Sequence, residues 1–190
     1  VGYEAGGELT NAVKQNPLSV VLFDEIEKAH PKILDKFLQI LEDGRLTDGR
    51  GETVYFSETL LIFTSNLGVY TTDEKGEKVP LVTPEAPYDV VERKILKAIE
   101  DFFRFQIGRP EILNRLGKNI IVFDFIRSEH AQKIFDKMLN SVKTKLLEEK
   151  KIGLKIEEQA YSKLLKECTN DLSMGGRGIG NRLEELFVNP

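Results

Sequence analysis

The sequence predicts an α/β fold, in which a parallel sheet with helices is followed by a small and mostly helical part. Short apolar runs rich in branched residues alternate with segments whose apolar residues recur at helical spacing. The net charge also changes along the chain, from -6 over residues 1–126 to +2 over residues 127–190. We therefore predict a first domain over residues 1–126 and a second over residues 127–190.

The first part alternates between strand and helix patterns. Strands are predicted at the apolar runs of residues 19–23, 60–64 and 119–125. A further strand is predicted at residues 52–56, which follow a stretch rich in turn-forming residues. Helices are predicted by one-sided apolar spacing or by a proline stop: residues 8–15, 32–41 and 88–107. Continuous runs such as residues 19–23 predict strands buried on both faces. Residues 69–87 are polar and contain three prolines, which predicts a surface loop or insertion.

The second part has mostly helical patterns. Its apolar spacing predicts three helices, at residues 128–150, 159–168 and 177–187. Ser128 is the predicted N-cap of the first of these helices. Residues 153–156 predict a short strand. Cys168 falls on an apolar helix face, so we assign it to the core rather than to nucleophilic chemistry.

Composition argues against several classes of function. The 190 residues hold one cysteine and two histidines, which excludes a disulfide framework and argues against a zinc or histidine-rich metal site. The apolar runs are far shorter than the roughly 20 residues of a membrane-spanning helix. The net charge of -4 does not favour nucleic-acid binding. We expect a cytoplasmic protein without membrane or nucleic-acid partners. Because the chain begins at Val1, we also expect an excised part of a longer protein.

Two adjacent carboxylates follow the first apolar run. Asp24 and Glu25 come directly after residues 19–23, which predicts that they lie at the ligand-binding edge of a parallel sheet. Adjacent residues of an extended chain point in different directions, so the two carboxylates can have different tasks. One can hold a hydrated Mg²⁺ ion, and the other can take a proton from water. The alternative is a solvated acidic turn.

A polar segment follows the run at residues 60–64 as well. Thr64, Ser65 and Asn66 end this strand, and the Asn66 amide can hold a water molecule or a phosphate oxygen. The alternative is that Asn66 only begins a turn. The two runs are about 40 residues apart with one helix between them, which predicts neighbouring strands of the same sheet.

Two arginines lie at helix positions suited to phosphate charge. Pro110 begins a predicted helix that carries Arg115 one turn later, and glycines precede the last helix, with Arg177 in its first turn. A guanidinium on a rigid helix stabilises phosphate charge, and a helix N-terminus adds partial positive charge. The alternatives are a surface salt bridge for Arg115 and a merely flexible glycine loop before Arg177.

Together these motifs resemble those of the Clp-type AAA+ ATPases, the heat-shock unfoldases and disaggregases. The matching segments are VGYEAGG, DEIEKAH, LTDGRG, TSN, RPEILNR and Gly-Gly-Arg. The resemblance covers nearly the whole chain except residues 69–87, and it is closest to the second nucleotide-binding domain of the two-ring members. It implies the latter part of an AAA+ P-loop-type large subdomain over residues 1–126 and a small lid subdomain, truncated at its end, over residues 127–190.

The resemblance also implies roles for individual residues. Asp24 matches the Walker B aspartate, which orders Mg²⁺ through water at the bound nucleotide, and Glu25 matches the catalytic base. Asn66 matches the sensor that positions the attacking water. Arg115 matches the arginine finger that reaches the nucleotide site of the neighbouring subunit. Arg177 matches the second sensor, which contacts nucleotide and couples it to motion of the small domain.

Cofactors and partners follow from the same resemblance. It implies ATP and Mg²⁺ as cofactors, and neighbouring subunits of a homo-oligomeric, hexamer-type ring and protein substrates as partners. It leaves open whether a peptidase is also a partner. Val1 and Gly2 match the tail of a substrate-gripping pore loop. The function it implies is ATP-driven protein unfolding or disaggregation.

One departure limits what the chain is expected to do alone. No G-x-x-x-x-G-K-[ST] motif occurs in the 190 residues, and this Walker A loop supplies much of the phosphate binding. We therefore expect negligible ATP hydrolysis by the isolated chain. Two other functions stay open at this point. One is an AAA+ motor that acts on nucleic acid, and the other is a non-catalytic oligomerisation or adaptor module of the same fold.

Overall fold

The computed structural model of the chain describes residues 7–187. The chain divides into two compact units, unit 1 over residues 1–122 and unit 2 over residues 123–190, each with its own apolar core. The predicted pore-loop residues Val1 and Gly2 lie outside the described residues. None of the described helices combines the length and the apolar character that crossing a membrane requires.

The described part of the chain contains short strands and helices in unit 1 and helices alone in unit 2. The strands are β1 (Val20–Phe23), β2 (Arg45–Thr47), β3 (Thr53–Tyr55), β4 (Leu60–Phe63), β5 (Tyr70–Thr72) and β6 (Lys78–Pro80). The helices are α1 (Glu8–Gln15), α2 (Pro31–Asp43), α3 (Tyr88–Asp101), α4 (Pro110–Leu116), α5 (Ser128–Lys150), α6 (Glu158–Thr169) and α7 (Gly175–Phe187).

Strands β1 and β4 pair in parallel and bring two chain segments side by side. Val20 pairs with Leu60 and Phe23 with Phe63, so both strands end at the same level of the sheet. This pairing confirms that the two continuous apolar runs are neighbouring strands. The rings of Phe23 and Phe63 stack with centroids 5.0 Å apart, and Phe37 of α2 packs against both, at 4.4 and 5.5 Å.

The burial of this parallel pair differs from the prediction. Phe23 and Phe63 face the core of unit 1, whereas Val20, Leu22 and Leu60 are 63%, 59% and 59% exposed. The prediction that both faces of these strands are buried is therefore wrong for the described residues. Side chains alternate between the two faces of a strand, and the described helices that pack on the pair contact one face only.

Helix α2 connects β1 to the β2–β3 hairpin and has well-defined ends. Its N-cap is His30, whose Nδ1 accepts the N–H of Lys32 at 3.2 Å, and Pro31 fills the first helical position. Gly44 ends the helix at a φ of 64°, in the left-handed region that glycine adopts without strain. His30 therefore has a structural role at the start of α2.

The sequence predicted one of the two strands of the β2–β3 hairpin. Strand β3 lies within the strand predicted at residues 52–56, and it pairs antiparallel with β2. Asp48 organises the connecting turn, because its carboxylate accepts two backbone N–H groups at 2.9 Å. The three residues of β2 are too few to show an alternating pattern, and the sequence did not predict this strand.

Helix α3 continues into a π-helical turn over Phe102–Gln106. The helix predicted over residues 88–107 is confirmed, but its last turn is wider than an α-helical turn. The wide turn lets the adjacent Phe102 and Phe103 both enter the core, with ring planes 86° apart. In a regular α-helix, adjacent side chains point about 100° apart and rarely share one core.

Residues 69–87, predicted as a surface loop or insertion, contain a β-hairpin that the sequence did not predict. Strands β5 and β6 pair antiparallel, and the Asp73 carboxylate between them accepts two backbone N–H groups, at 2.9 and 2.8 Å. The Lys78 ammonium lies over the ring of Tyr70, 4.5 Å from its centroid. The contacts that order this segment are polar and local, and hydrophobic periodicity does not reveal them.

Two predicted strands are absent from the described residues. Residues 119–125 and 153–156 have no regular secondary structure. Ile121 and Phe123 are 80% and 87% exposed, and Val122 between them is buried. The alternating pattern of a strand is thus present at residues 121–123, but a strand also needs a hydrogen-bonded neighbour, and no described strand pairs with this segment.

Unit 2 is built from α5, α6 and α7, which confirms the three helices predicted there. They pack around a common core: Ala131, Phe135, Leu139, Cys168, Ile179 and Leu183. The prediction that Cys168 is a core residue is confirmed, and burial raises the pKa of its thiol. The N-cap of α5 is Arg127 rather than the predicted Ser128. Arg127 donates from Nε to Asp124 at 2.8 Å, and this hydrogen bond lowers the pKa of Asp124.

Candidate active site

The carboxyl ends of β1 and β4 meet at one edge of the parallel pair. Strand β1 leads directly into Asp24 and Glu25, and β4 leads into Thr64 and Asn66. The backbone N–H of Thr64 donates to the carbonyl of Phe23 at 2.9 Å, so the strand ladder continues to this edge. The structure therefore brings three of the predicted site residues, Asp24, Glu25 and Asn66, onto two adjoining segments.

Thr64 links the two segments through its hydroxyl group. The hydroxyl donates a hydrogen bond to Asp24 Oδ1 and accepts one from the backbone N–H of Glu25 at 3.1 Å. The Thr64 carbonyl also accepts the N–H of Ile26 at 3.0 Å. One residue at the end of β4 thereby fixes the backbone and one carboxylate at the end of β1.

Glu25 has an unusual backbone conformation. Its φ and ψ are both 55°, in the left-handed region that residues other than glycine and asparagine rarely adopt. Such a conformation costs on the order of 1–3 kcal/mol and persists only where the surroundings impose it, often at functional sites. The hydrogen bonds that the N–H groups of Glu25 and Ile26 donate to Thr64, together with the 3-10 turn over Ile26–Lys28, impose it here.

The left-handed turn separates the partners of the two carboxylates. Asp24 is bound by Thr64, whereas Glu25 Oε2 accepts a hydrogen bond from Lys28 Nζ at 2.7 Å. This hydrogen bond, together with the charge of Glu25, raises the pKa of Lys28, so Lys28 stays charged at neutral pH. The carboxylates are adjacent in sequence but have different partners, as two different chemical tasks require.

Glu27 holds the segment that carries Asn66. Its Oε2 accepts a hydrogen bond from the Ser65 hydroxyl at 2.8 Å, and its Oε1 accepts one from the backbone N–H of Asn66 at 3.1 Å. The Ser65 hydroxyl oxygen in turn accepts the N–H of Leu67 at 3.0 Å. These hydrogen bonds join residues that are 38 and 39 positions apart in sequence.

Gly68 brings the end of this segment against α3. It is buried, has a φ of 79°, and lies so close to α3 that an added Cβ would be 2.9 Å from Ile95 Cα. Only glycine combines this backbone conformation with so close an approach to another backbone. The Asn66 side chain itself is exposed, while the backbone on either side of it is held in place.

The predicted finger residue Arg115 contacts the C-terminal end of α2. Its Nη2 is 3.4 Å from Oε1 of Glu42, in the last turn of α2, and half of its side chain is exposed. Helix α2 begins at Pro31, soon after the two carboxylates, and Glu42 lies roughly 16 Å further along the helix axis. Arg109, also on the RPEILNR segment, pairs with Asp35 at 2.8 Å, and this hydrogen bond raises its pKa.

Arg177 belongs to unit 2 and lies in the first turn of α7. Helix α7 begins at Gly175, with a φ of 60°, two residues earlier than the predicted start. The Arg177 side chain is exposed and forms no ion pair or side-chain hydrogen bond with another residue in the range 7–187. It is therefore accessible to a ligand at this helix terminus.

The donor set at the sheet edge suits a hydrated magnesium ion. Asp24 is exposed, and its Oδ2 has no hydrogen bond to any of the described residues, since Thr64 binds Oδ1. Within residues 7–187, no three or more His, Cys, Asp or Glu side chains form a group that would hold a metal ion by themselves. A single carboxylate fits Mg²⁺, which keeps several waters and takes its remaining ligands from substrate phosphates.

Comparison with protein families matches both parts of the chain. A family model described as "AAA domain (Cdc48 subfamily)" matches residues 1–119, and one described as "C-terminal, D2-small domain, of ClpB protein" matches residues 126–190. The chain belongs to the Clp-type AAA+ ATPases. The resemblance of its motifs to this family is thereby confirmed, and so is the predicted fold of a parallel sheet with helices and a helical second part.

Individual relatives agree with this assignment. The chain is 37% identical over 190 residues to the chaperone protein ClpB of Aquifex aeolicus, and it is 36% identical over 192 residues to heat shock protein 100 of Trypanosoma brucei brucei. It is 40% identical over 191 residues to the chloroplastic ATP-dependent Clp protease ATP-binding subunit ClpA homolog CD4B of Solanum lycopersicum. These alignments cover 100%, 99% and 98% of the chain, but only 18%, 20% and 20% of the relatives.

Sequence reasoning did not identify three residues that take part in the hydrogen bonds of this sheet edge. Thr64 was noted only as a polar residue at a strand end, and no role was predicted for Glu27 or Lys28. The third acidic residue of D-E-I-E-K was the available signal, because the turn over Ile26–Lys28 brings the Glu27 carboxylate to Ser65 and Asn66. The left-handed conformation of Glu25, which produces this turn, has no signature in the sequence.

Proposed function

We propose that this chain is part of an ATP-hydrolysing AAA+ motor that unfolds, disaggregates or threads protein substrates through a ring. The observation that supports this most is the sheet edge at which Asp24, Glu25 and the Asn66 segment adjoin in a Clp-type chain. The names of the relatives, which include chaperones, support protein rather than nucleic acid as the substrate. In this proposal, residues 1–126 are the latter part of the large AAA+ subdomain and residues 127–190 the small one.

The residues of the sheet edge divide the chemistry between them. Bound ATP supplies the phosphoryl group that water attacks, and Mg²⁺ offsets its negative charge. Asp24 would hold the hydrated Mg²⁺, and its Oδ2 is left free by the hydrogen bond from Thr64 to Oδ1. Glu25 accepts the proton of the attacking water at its carboxylate, and Asn66 orients that water by a hydrogen bond. Lys28 holds the Glu25 carboxylate by the hydrogen bond that it donates to Oε2.

Arg115 serves a neighbouring subunit in this proposal. It contacts the last turn of α2, roughly 16 Å along the helix from the first turn, and the site carboxylates precede that first turn. Within its own subunit, Arg115 is paired with Glu42 and not with any residue of the sheet edge. A half-exposed guanidinium that makes no contact with its own sheet edge supports a finger that acts in a homo-oligomeric ring, which we propose to be hexameric.

The remaining parts of the proposal rest on family membership. Arg177 contacts nucleotide from α7 and links its presence to motion of the small subdomain. The tomato relative is named as the ATP-binding subunit of a protease, so a peptidase partner is compatible with the proposal. We keep the cytoplasm as the proposed location, although that same relative is named chloroplastic.

The isolated chain provides one test. Because its 190 residues contain no G-x-x-x-x-G-K-[ST] motif, we expect the purified chain to release phosphate from ATP no faster than a sample without protein. A longer protein that carries a phosphate-binding loop ahead of these residues should hydrolyse ATP. Phosphate release is measured for both, with the Glu25→Gln variant of each as the control for contaminating ATPases. Turnover by the 190-residue chain that disappears in its Glu25→Gln variant would contradict the proposal, as would an inactive longer protein.

A further inference from the structure

We propose that Glu27 is a positioning residue that holds Asn66 at the sheet edge. This inference rests on the proposed function, and it gives a role to a carboxylate that neither the motif nor the resemblance assigned. The contacts that carry it are the two hydrogen bonds from the Asn66 segment, to Oε2 from the Ser65 hydroxyl and to Oε1 from the Asn66 N–H.

Both oxygens of Glu27 are committed to this one segment. A carboxylate that only solvates the surface would not bind a side-chain hydroxyl and the next backbone N–H at 2.8 and 3.1 Å together. Glu27 is half-buried, and a hydrogen bond to a charged acceptor is roughly twice as strong as one between neutral groups. Glu27 therefore restrains the backbone of the residue whose side chain is proposed to orient water.

The same turn gives Glu25 and Glu27 coordinated positions. Residues Ile26–Lys28 form a single 3-10 turn, so Glu27 is fixed relative to Glu25 by local backbone hydrogen bonds. Thr64 fixes the Glu25 backbone from the side of β4, and Glu27 fixes the Asn66 backbone from the side of β1. Reciprocal contacts of this kind set the separation between a base and a water-orienting amide, on which hydrolysis depends.

Lys28 is not an equal candidate for this positioning role. Lys28 forms a single ion pair, with Glu25, and its side chain is 67% exposed. Exposed ion pairs of this kind contribute little to holding a segment in place. Asn66 makes its backbone contact with Glu27 alone among the carboxylates of the DEIEK segment. The position of Asn66 is therefore expected to depend on Glu27 and to be largely insensitive to the charge of Lys28.

The test compares Glu27→Ala, Glu27→Gln and Ser65→Ala in the complete motor, with Glu58→Ala as the matched control. Glu58 is an exposed carboxylate of unit 1 that lies before β4. We expect Glu27→Ala to lower kcat about 10- to 100-fold, as loss of a group that orients a site residue typically does. The KM for ATP should change much less than kcat, because Asn66 acts on water rather than on nucleotide binding.

The conservative variants separate positioning from general stability. Glu27→Gln should recover a large part of kcat, because its amide oxygen can accept the Asn66 N–H and its amide nitrogen can donate to Ser65. Ser65→Ala removes one of the two hydrogen bonds and should give an intermediate kcat. Thermal unfolding of each variant is recorded alongside, and a fall in kcat that simply follows the fall in Tm across all three would overturn the inference.

The outcome also distinguishes this inference from the proposed function. If Glu27→Ala keeps the kcat of Glu58→Ala while Glu25→Gln abolishes hydrolysis, the positioning role is wrong and the proposed function stands. If Glu25→Gln also keeps normal turnover, the proposed function itself fails. If Glu27→Ala does not fold, Glu27→Gln and Ser65→Ala decide the question, since a kcat equal to that of the control in both overturns the role.

Discussion

Replacement of Glu25 by glutamine in the complete motor is expected to abolish ATP hydrolysis and to leave ATP binding intact. Glutamine has nearly the same shape, and its amide oxygen can still accept the hydrogen bond from Lys28 that Glu25 accepts at 2.7 Å. It cannot take a proton from water at neutral pH, and loss of a general base typically lowers the rate by about 10²- to 10⁴-fold. Steady-state phosphate release and equilibrium binding of ATP are measured on the same preparation.

The control for this substitution is Glu58→Gln, which removes one exposed carboxylate from the same unit. We expect this control to hydrolyse ATP at the rate of the unchanged protein. Normal turnover by Glu25→Gln would show that Glu25 is not the base. Loss of both binding and turnover would assign Glu25 to holding Mg²⁺ at the bound nucleotide, which is the task proposed for Asp24.

Replacement of Phe135 by alanine is expected to destabilise unit 2 by about 3–5 kcal/mol, the range found when a buried phenylalanine is reduced to alanine. Phe135 lies in the middle of α5 with no exposed surface, and its ring packs edge-on against Tyr161 of α6 at 5.6 Å. The Tyr161 hydroxyl also donates to Asp136 at 2.7 Å, so loss of the Phe135 ring disturbs the packing of Tyr161 and its hydrogen bond to α5.

This change is measured by urea unfolding of the 190-residue chain, followed by circular dichroism. The matched control is Leu147→Ala, a comparable truncation on the same helix at a side chain that is 57% exposed. The control is expected to change the free energy of unfolding by less than about 1 kcal/mol, as surface substitutions usually do. Equal destabilisation by the two variants would mean that the core of unit 2 is not the one described.

The parts of the fold that sequence could predict are those with local causes. Helix α1 begins and ends at the predicted residues because a glycine loop and Pro17 bound it, and α5 follows from its long apolar stripe. Strands need partners from elsewhere in the chain, and this is why residues 119–125 have the alternation of a strand but form none. The hairpin of β5 and β6 was missed for the opposite reason, since polar contacts made by Asp73 and Lys78 order it.

The candidate site was predictable in outline for a related reason. Parallel strands end at the same edge, so two apolar runs followed by Asp24-Glu25 and by Asn66 were enough to predict their proximity. Their hydrogen-bonded partners were not predictable in this way. The contact of Glu27 with Asn66 depends on the left-handed conformation of Glu25, and that conformation depends on Thr64, which is 39 residues away in sequence.

Mixing of two inactive variants tests the central claim most directly. In the proposed ring, each site takes Glu25 from one subunit and Arg115 from its neighbour. Complete motors that carry Glu25→Gln and complete motors that carry Arg115→Ala should each be inactive alone. In randomly mixed rings, about a quarter of the interfaces combine an intact Glu25 with an intact Arg115 across a head-to-tail contact, so ATP hydrolysis should reappear. Absence of recovery in rings shown to contain both variants would contradict the account, because Glu25 and Arg115 would then not share a site between subunits.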